Sequence, residues 1–118
     1  MNETLKILKE RRSIRSFRPE PVREEDLNAI LEAGIYAPSA KNLQSTKLVV
    51  VQDRETLALL ERVNAELFGD ADGHPFYGAP MAVVVLSDST YPCWLQDGAL
   101  VIGNLMNAAA ALGVGSCW

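Results

Sequence analysis

The sequence has few residues of the types that build disulfide frameworks, metal sites and side-chain nucleophile–base pairs. Its two cysteines, Cys93 and Cys117, are too few for a disulfide framework and form neither a CxxC pair nor a four-ligand zinc site. Its one histidine, His74, stands between Gly73 and Pro75 with no neighbouring nucleophile or metal partner, which makes it a poor catalytic candidate. The N-terminus lacks the apolar stretch of a secretory signal, so reduced thiols and a cytoplasmic location are expected.

Positive charge is absent from the second half of the chain. All eleven basic residues lie between Lys6 and Arg62, so an anionic ligand would have to be bound by the N-terminal half. The net charge of −4 argues against nucleic acid as a partner. The longest apolar stretch, residues 99–112, falls short of the ~20 residues that cross a bilayer, so no membrane partner is expected.

Several signature motifs are also missing. The sequence contains no Gly-x-Gly-x-x-Gly after a strand, no Gly-x-x-x-x-Gly-Lys-Ser/Thr, no His-Glu-x-x-His and no Gly-x-Ser-x-Gly. Classical dinucleotide folds, P-loop NTPases, zincins and α/β hydrolases therefore lose support.

Hydrophobic periodicity predicts helices and strands within a single domain that spans residues 1–118. A short first helix is expected to place Leu5, Leu8 and Arg12 on one face, with Asn2 or Thr4 as its N-cap. The remaining predicted elements are helices at about 23–33, around 57–67 and at about 94–112, and strands at 47–52 and 81–86. The continuous apolar runs of both strands predict buried central strands.

The last predicted helix is apolar almost all round, which indicates burial on more than one side and a subunit interface. Its Asn104 and Asn107 are interpreted as satisfied core or interface amides. The following segment, Val114–Trp118, is typical of the opening of another buried strand, and we expect that the chain is truncated there.

Two polar segments are candidates for binding. The arginine segment, Arg11–Arg18, places four guanidinium groups and two hydroxyls in eight residues, which favours a phosphate or carboxylate site. Its alternative interpretation is a solvated basic surface with a few glutamate partners. The second segment, Ala37–Gln44, carries two amides and a hydroxyl just before a strand, where ligand-binding groups gather. Its alternative is an ordinary connection whose Asn and Ser bond local backbone.

Four segments together resemble the nitroreductase family of FMN-dependent oxidoreductases over about residues 5–118. Arg11–Phe17 is similar to the family's phosphate-binding signature, and Ala37–Gln44 is similar to its second flavin segment. Phe76–Pro80 and the stretch from Gly98 to Trp118 match the family in order and spacing. The chain departs from it at Ser45-Thr46, where many members have Pro-Trp, and the family continues past Trp118 with further core elements.

The resemblance implies an α+β fold, a nitroreductase-like three-layer α/β/α sandwich with a central, mostly antiparallel sheet. It also implies a homodimer with FMN at the subunit interface, and residues 1–118 as one FMN-binding domain, incomplete at the C-terminus. It assigns no catalytic side chain and no metal ligand. The implied FMN-binding residues are Arg11, Arg12, Ser13 and Arg15; Pro38, Ser39, Ala40, Asn42 and Gln44 in the second segment, most of them lent by the partner subunit; and Ser116, Cys117 and Trp118 along the flavin face.

The implied function is transfer of hydride from NAD(P)H through FMN to a nitroaromatic, quinone or similar small acceptor by a ping-pong mechanism. One alternative is a non-catalytic flavin-binding or dimerisation module, which the missing C-terminal elements motivate. A second alternative is a phosphate-binding module without flavin.

Overall fold

The computed structural model describes every residue from Met1 to Trp118. It contains four α-helices and one two-stranded sheet, all at the positions that the sequence predicts. In chain order the elements are α1 (Glu3–Glu10), α2 (Glu24–Ile35), β1 (Lys47–Val51), α3 (Arg54–Leu67), β2 (Ala82–Leu86) and α4 (Trp94–Ala111), with a 3₁₀ turn at Ala40–Asn42.

Side-chain caps fix the starts of two helices. The Asn2 side chain accepts a hydrogen bond from the Leu5 N–H at 3.0 Å, which confirms Asn2 as the N-cap of α1. Asp53 caps α3 by accepting from both the N–H and the hydroxyl of Thr56, at 2.9 and 2.7 Å. The expected placement of Arg12 on the face of α1 is wrong, because the helix ends at Glu10 and the backbone of Arg11 turns to an extended ψ of 137°.

The two strands pair antiparallel, with Leu48 opposite Val85 and Val50 opposite Val83. The prediction of buried central strands is wrong within this chain, since each strand has a single partner and Val49 is 43% exposed. Continuous apolar runs make both faces of a sheet apolar. Only one face, which carries Leu48, Val83 and Val85, packs against the core of this chain.

The core lies between that sheet face and the packed helices α2 and α4. Its buried residues are Ile30, Ala37, Val101, Leu105 and Ala109. The helices approach closely at Gly34, where an added Cβ would lie 2.6 Å from Leu105 Cδ2. Asn104 Nδ2 donates to the Ala33 carbonyl at 2.9 Å, so this amide is satisfied as predicted.

Helix α4 is buried along one stripe in this chain. Asp97, Val101, Leu105 and Ala109 recur every four residues and are buried. Leu95 and Leu100 stay exposed, at 63% and 46%. The expected burial on more than one side is therefore absent within a single chain, and the expected subunit interface stays a prediction. None of the helices combines the length and apolarity that crossing a bilayer requires.

Candidate functional site

The arginine segment is an extended strip held by backbone hydrogen bonds. The Ile14 N–H donates to the Ser116 carbonyl at 3.0 Å, and Ser13 and Ser116 form an isolated parallel bridge. Further along, the Phe17 N–H donates to the Tyr77 carbonyl at 3.3 Å. The bridge at Ser116 is the only sheet-like pairing of the terminal stretch that was expected to open another strand. Because backbone groups make these bonds, the arginine side chains take no part in holding the segment.

An open pocket of about 400 Å³ lies between the end of α1 and the stretch that follows α4. Its polar lining is Glu10, Arg11, Arg12 and Ser116, and its apolar lining includes Ile7, Ile14 and Val114. The stretch after α4 turns at Gly113, whose φ of +74° suits glycine. At Gly115 an added Cβ would lie 3.2 Å from Ile14 Cγ1, so the two walls of the pocket are in close contact.

The electrostatics of this pocket favour an anion. Among the arginines, Arg23 pairs with a carboxylate, that of Asp26, so no arginine of the arginine segment has a carboxylate partner. The alternative of a solvated basic surface therefore lacks the glutamate partners that it assumes. Arg11 Nη1 is buried and has no acceptor, which is costly for a charged donor unless a ligand supplies one. A phosphate offers acceptors of the right charge and geometry.

The second segment has an unusual backbone. Lys41, Asn42 and Gln44 all adopt left-handed conformations, with φ of 53°, 55° and 52°. Asparagine adopts such values more readily than most residues, but for lysine and glutamine they are uncommon and persist where surrounding bonds enforce them. The sequence alone, which contains no glycine here, gave no reason to expect this geometry.

Both local and distant bonds enforce the conformation of the second segment. Ser39 Oγ accepts from the Gln44 N–H at 3.1 Å, and Gln44 Nε2 donates to Asn42 Oδ1 at 3.0 Å. The Ser39 bond agrees with the alternative of an ordinary connection. The Ala40 N–H, however, donates at 2.9 Å to Oδ1 of Asp97 in α4, which links the segment to the core.

The structure brings some of the predicted FMN-binding residues together and leaves others apart. Arg11, Arg12 and Ser116 line the pocket, and Ser13 is bridged to Ser116. Arg15 is exposed and lies outside the lining, as do half-buried Cys117 and Trp118, which is 88% exposed. The remaining predicted residues, Pro38, Ser39, Ala40, Asn42 and Gln44, are also absent from the lining of this pocket.

Sequence reasoning missed two carboxylates that hold these segments. Asp97 supports the second segment, and the only signal for it was an acidic residue in an otherwise apolar helix. Glu61 of α3 accepts from the Phe76 N–H at 2.8 Å and lies 3.6 Å from His74 Nδ1. The residue after Phe76 is Tyr77, whose carbonyl receives the Phe17 N–H, so Glu61 supports the far end of the arginine segment.

Comparisons with known proteins point to one family. The model of the nitroreductase family matches residues 8–76. A relative in Archaeoglobus fulgidus with the provisional name NADH dehydrogenase/NAD(P)H nitroreductase is 39% identical over 123 residues, which cover 100% of this chain and 67% of the relative. A relative of the same provisional name in Methanothermobacter thermautotrophicus is 34% identical over 125 residues, which cover 98% of this chain and 60% of the relative.

A solved structure of a related protein has a similar fold. The crystal structure of a nitroreductase with bound FMN from Bacteroides fragilis superposes with a TM-score of 0.92 at 32% identity, covering 100% of this chain and 70% of that protein. The present chain thus spans between 60% and 70% of the length of these three proteins. Its α+β fold, with four helices and an antiparallel pair of strands, is that of the FMN-bound structure.

Proposed function

The chain belongs to the nitroreductase family, and from this we propose that the protein is an FMN-dependent oxidoreductase. It transfers hydride from NAD(P)H to a nitroaromatic, a quinone or a similar small acceptor in a ping-pong reaction. The observation that carries the proposal is the pocket in which Arg11 and Arg12 have no carboxylate partner and Arg11 Nη1 has no acceptor. FMN, when bound, supplies the hydride-transfer chemistry.

The residues of this chain bind and orient. Arg11 and Arg12 hold the phosphate through charge-assisted hydrogen bonds, which the unpaired guanidinium groups are free to make. Ser13 adds a short-range donor. Glu10 also lines the pocket, and two guanidinium groups outweigh its repulsion of an anion.

The remaining implied contacts lie along the flavin ring. Arg15 is exposed and unpaired, so it can extend to the pyrimidine edge, where positive charge stabilises negative charge on the ring. Ser116, Cys117 and Trp118 offer backbone donors along the ring face. No side chain of the site acts as a general base, because the reaction needs no proton abstraction by the protein.

We further propose that residues 1–118 act as a single FMN-binding domain that pairs with a second copy. In a homodimer the partner's second segment completes the FMN site, which accounts for the absence of this segment from the pocket of its own chain. The exposed Leu95 and Leu100 of α4 and the uncovered face of the sheet give such a dimer apolar surface to bury. The full protein is a three-layer sandwich in this proposal.

The test is a visible absorbance spectrum of the purified protein after incubation with FMN and desalting. We expect a retained yellow colour that bleaches when NADPH or NADH is added without oxygen. Colour that is retained but not bleached would instead favour a non-catalytic flavin-binding or dimerisation module. Colourless protein that still binds inorganic phosphate would leave only the phosphate-binding module.

A further inference from the structure

Asp97 is the single charged residue that the fold buries. Its side chain lies in the first turn of α4, and the residue is 3% exposed. Oδ1 accepts the Ala40 N–H at 2.9 Å, across a sequence separation of 57 residues. A carboxylate accepting a backbone N–H forms a stronger hydrogen bond than a neutral acceptor would. This is the one side-chain hydrogen bond between the second segment and the rest of the fold.

The second carboxylate oxygen of Asp97 is not stabilised by hydrogen bonding at this position. Oδ2 is buried and has no hydrogen-bond partner. Burying a carboxylate with incomplete hydrogen bonding costs free energy, and an apolar side chain of the same size would avoid that cost. The positive end of α4 favours a carboxylate in its first turn, but an exposed carboxylate there would gain that benefit without the cost of burial. The contact of Oδ1 with the Ala40 N–H therefore accounts for the buried position.

Close packing of the next residue, Gly98, fixes the position of Asp97. An added Cβ at Gly98 would lie 2.7 Å from Ser87 Oγ, so the start of α4 lies close against the residue that follows β2. A helix end packed this closely is a rigid support. The segment that it supports contains three non-glycine residues in left-handed conformations, which need such a constraint to persist.

From this arrangement we infer that Asp97 is a positioning residue for the flavin site. By fixing the Ala40 N–H it holds the second segment in the left-handed conformation that presents Asn42 and Gln44. The inference rests on the proposed function, because it assigns a use to the presented segment. Asp97 does not itself touch the cofactor in this assignment.

The test compares three variants of the protein. Asp97→Leu removes the acceptor while keeping a side chain of similar size, and Asp97→Asn keeps an acceptor oxygen. Asn104→Leu is the matched control, because it removes the other long-range side-chain hydrogen bond of α4, which ends on Ala33 and not on the second segment. Each variant is measured by amide hydrogen exchange without ligand and by FMN titration, at a temperature where it is folded.

We expect Asp97→Leu to speed exchange of the Ala40 amide about 10-fold or more, the loss typical of one hydrogen bond to a charged group. The FMN dissociation constant should rise by the factor by which the fraction of molecules in the binding conformation falls, which is smaller than the factor in exchange while most molecules keep that conformation. Asn104→Leu should change neither quantity, and Asp97→Asn should restore most of both. Equal effects of Asp97→Leu and Asn104→Leu on exchange of the second segment would overturn the inference.

Two further outcomes remain informative. If the wild-type protein binds no FMN, the proposed function fails, and unchanged Ala40 exchange in Asp97→Leu would separately refute the positioning role. If Asp97→Leu does not fold, Ala40→Pro removes the donor instead, and the extended backbone of Ser39 (φ −136°, ψ 150°) suits a following proline. In that variant, faster exchange at Lys41–Gln44 supports the inference and unchanged exchange overturns it.

Discussion

The arginine segment and the second segment are held in place by different kinds of bonds. Backbone groups hold the arginine segment, through Ser116 at one point and Tyr77 at another. The backbone hydrogen bonds of the second segment stay within it or reach the adjacent Gly34, so its bond to the distant core comes from a side chain, that of Asp97, and Ser39 adds a side-chain bond from within. Backbone bonds survive most substitutions, whereas a side-chain bond is lost with its residue. The position of the arginine segment therefore tolerates sequence change better than that of the second segment.

The two segments also differ in what they offer a ligand. The arginine segment carries four guanidinium groups without carboxylate partners, whereas the second segment has one cation, Lys41, among neutral groups. Charge gives affinity for a phosphate, and a fixed backbone shape gives complementarity to a ring. In the arginine segment, the side chains that bind the ligand are thus not the groups that hold the segment in place. In the second segment, a substitution that changes the backbone shape also weakens ligand binding.

The largest effect that separates the segments is expected from Arg12→Ala. Loss of a charge-assisted hydrogen bond costs about 1.5–3 kcal/mol, so FMN affinity should fall roughly 10- to 100-fold. The thermal unfolding midpoint should not change, because the one hydrogen bond of the Arg12 side chain is a long one, 3.4 Å, to the Arg11 carbonyl. Flavin fluorescence titration measures the affinity.

Arg18→Ala is the control for that experiment, since Arg18 lies in the same segment but outside the pocket lining and the predicted site. It should leave FMN affinity within about twofold of wild type, as one exposed charge near the site would. Equal losses in both variants would mean that the segment attracts the anion by its overall charge and contains no defined phosphate site.

A smaller effect is expected from Glu61→Ala, which tests whether the arginine segment is wholly independent of side chains. This substitution leaves the Phe76 N–H without its acceptor, next to the Tyr77 carbonyl that holds Phe17. The free energy of unfolding should fall by about 1–3 kcal/mol, as urea denaturation would measure. FMN affinity should fall only a few-fold, because Ser116 still holds the segment beside the pocket.

Glu66→Ala is the matched control, because Glu66 is an exposed residue of the same helix with no side-chain hydrogen bond. Glu61→Gln retains an acceptor for the Phe76 N–H and should behave almost as wild type. A drop in FMN affinity as large as that of Arg12→Ala would contradict the contrast, since position would then matter in the arginine segment as much as charge.

The smallest effect lies outside both segments, at the cap of α3. Hydrogen bonds from Thr56 stabilise the charged form of Asp53 and lower its pKa below the usual aspartate range. A lowered pKa contributes stability that is present above the unfolded pKa and is lost as the pH falls through the folded pKa, below about pH 4. Urea denaturation at pH 6 and pH 3 should therefore show a smaller acid-induced loss in Asp53→Asn than in wild type.

That comparison also has a control within the chain. Asp88 accepts from Thr90 in the same way, and its pKa is likewise lowered. Asp88→Asn should reduce the acid-induced loss to a similar, small extent. An acid effect in these variants as large as in wild type would show that the hydrogen bonds of Asp53 and Asp88 contribute nothing that depends on pH.

The sequence predicted the elements of this fold well because their signals are local. Periodic apolar residues marked the helices, valine runs marked the strands, and Asn2 or Thr4 marked a cap, each within a few residues of chain. The arginine segment was found for the same reason, since its density of charge is visible without any fold. Burial of the strands was wrongly predicted because a valine run does not say which face a neighbouring element covers.

The supports of the site could not be predicted from local patterns. Asp97 and Ala40 lie 57 residues apart, and Glu61 and Phe76 lie 15 apart. Such bonds depend on how helices pack against loops, which no single stretch of sequence encodes. The left-handed backbone of Lys41 and Asn42 was equally hidden, since neither residue is glycine and both are held there by their surroundings.

The outer edges of the small sheet have a consequence for handling the protein. Each strand has one paired side, and the backbone groups on its other side have no partner within the chain. Strand β1 carries Lys47, whose charge discourages another strand from adding to it, whereas Ala82–Leu86 of β2 has no charge and no proline. An uncharged valine-rich edge is a template for intermolecular strand addition. Aggregation of this chain at high concentration would therefore start at β2, and a lysine placed on that strand would be the direct way to slow it.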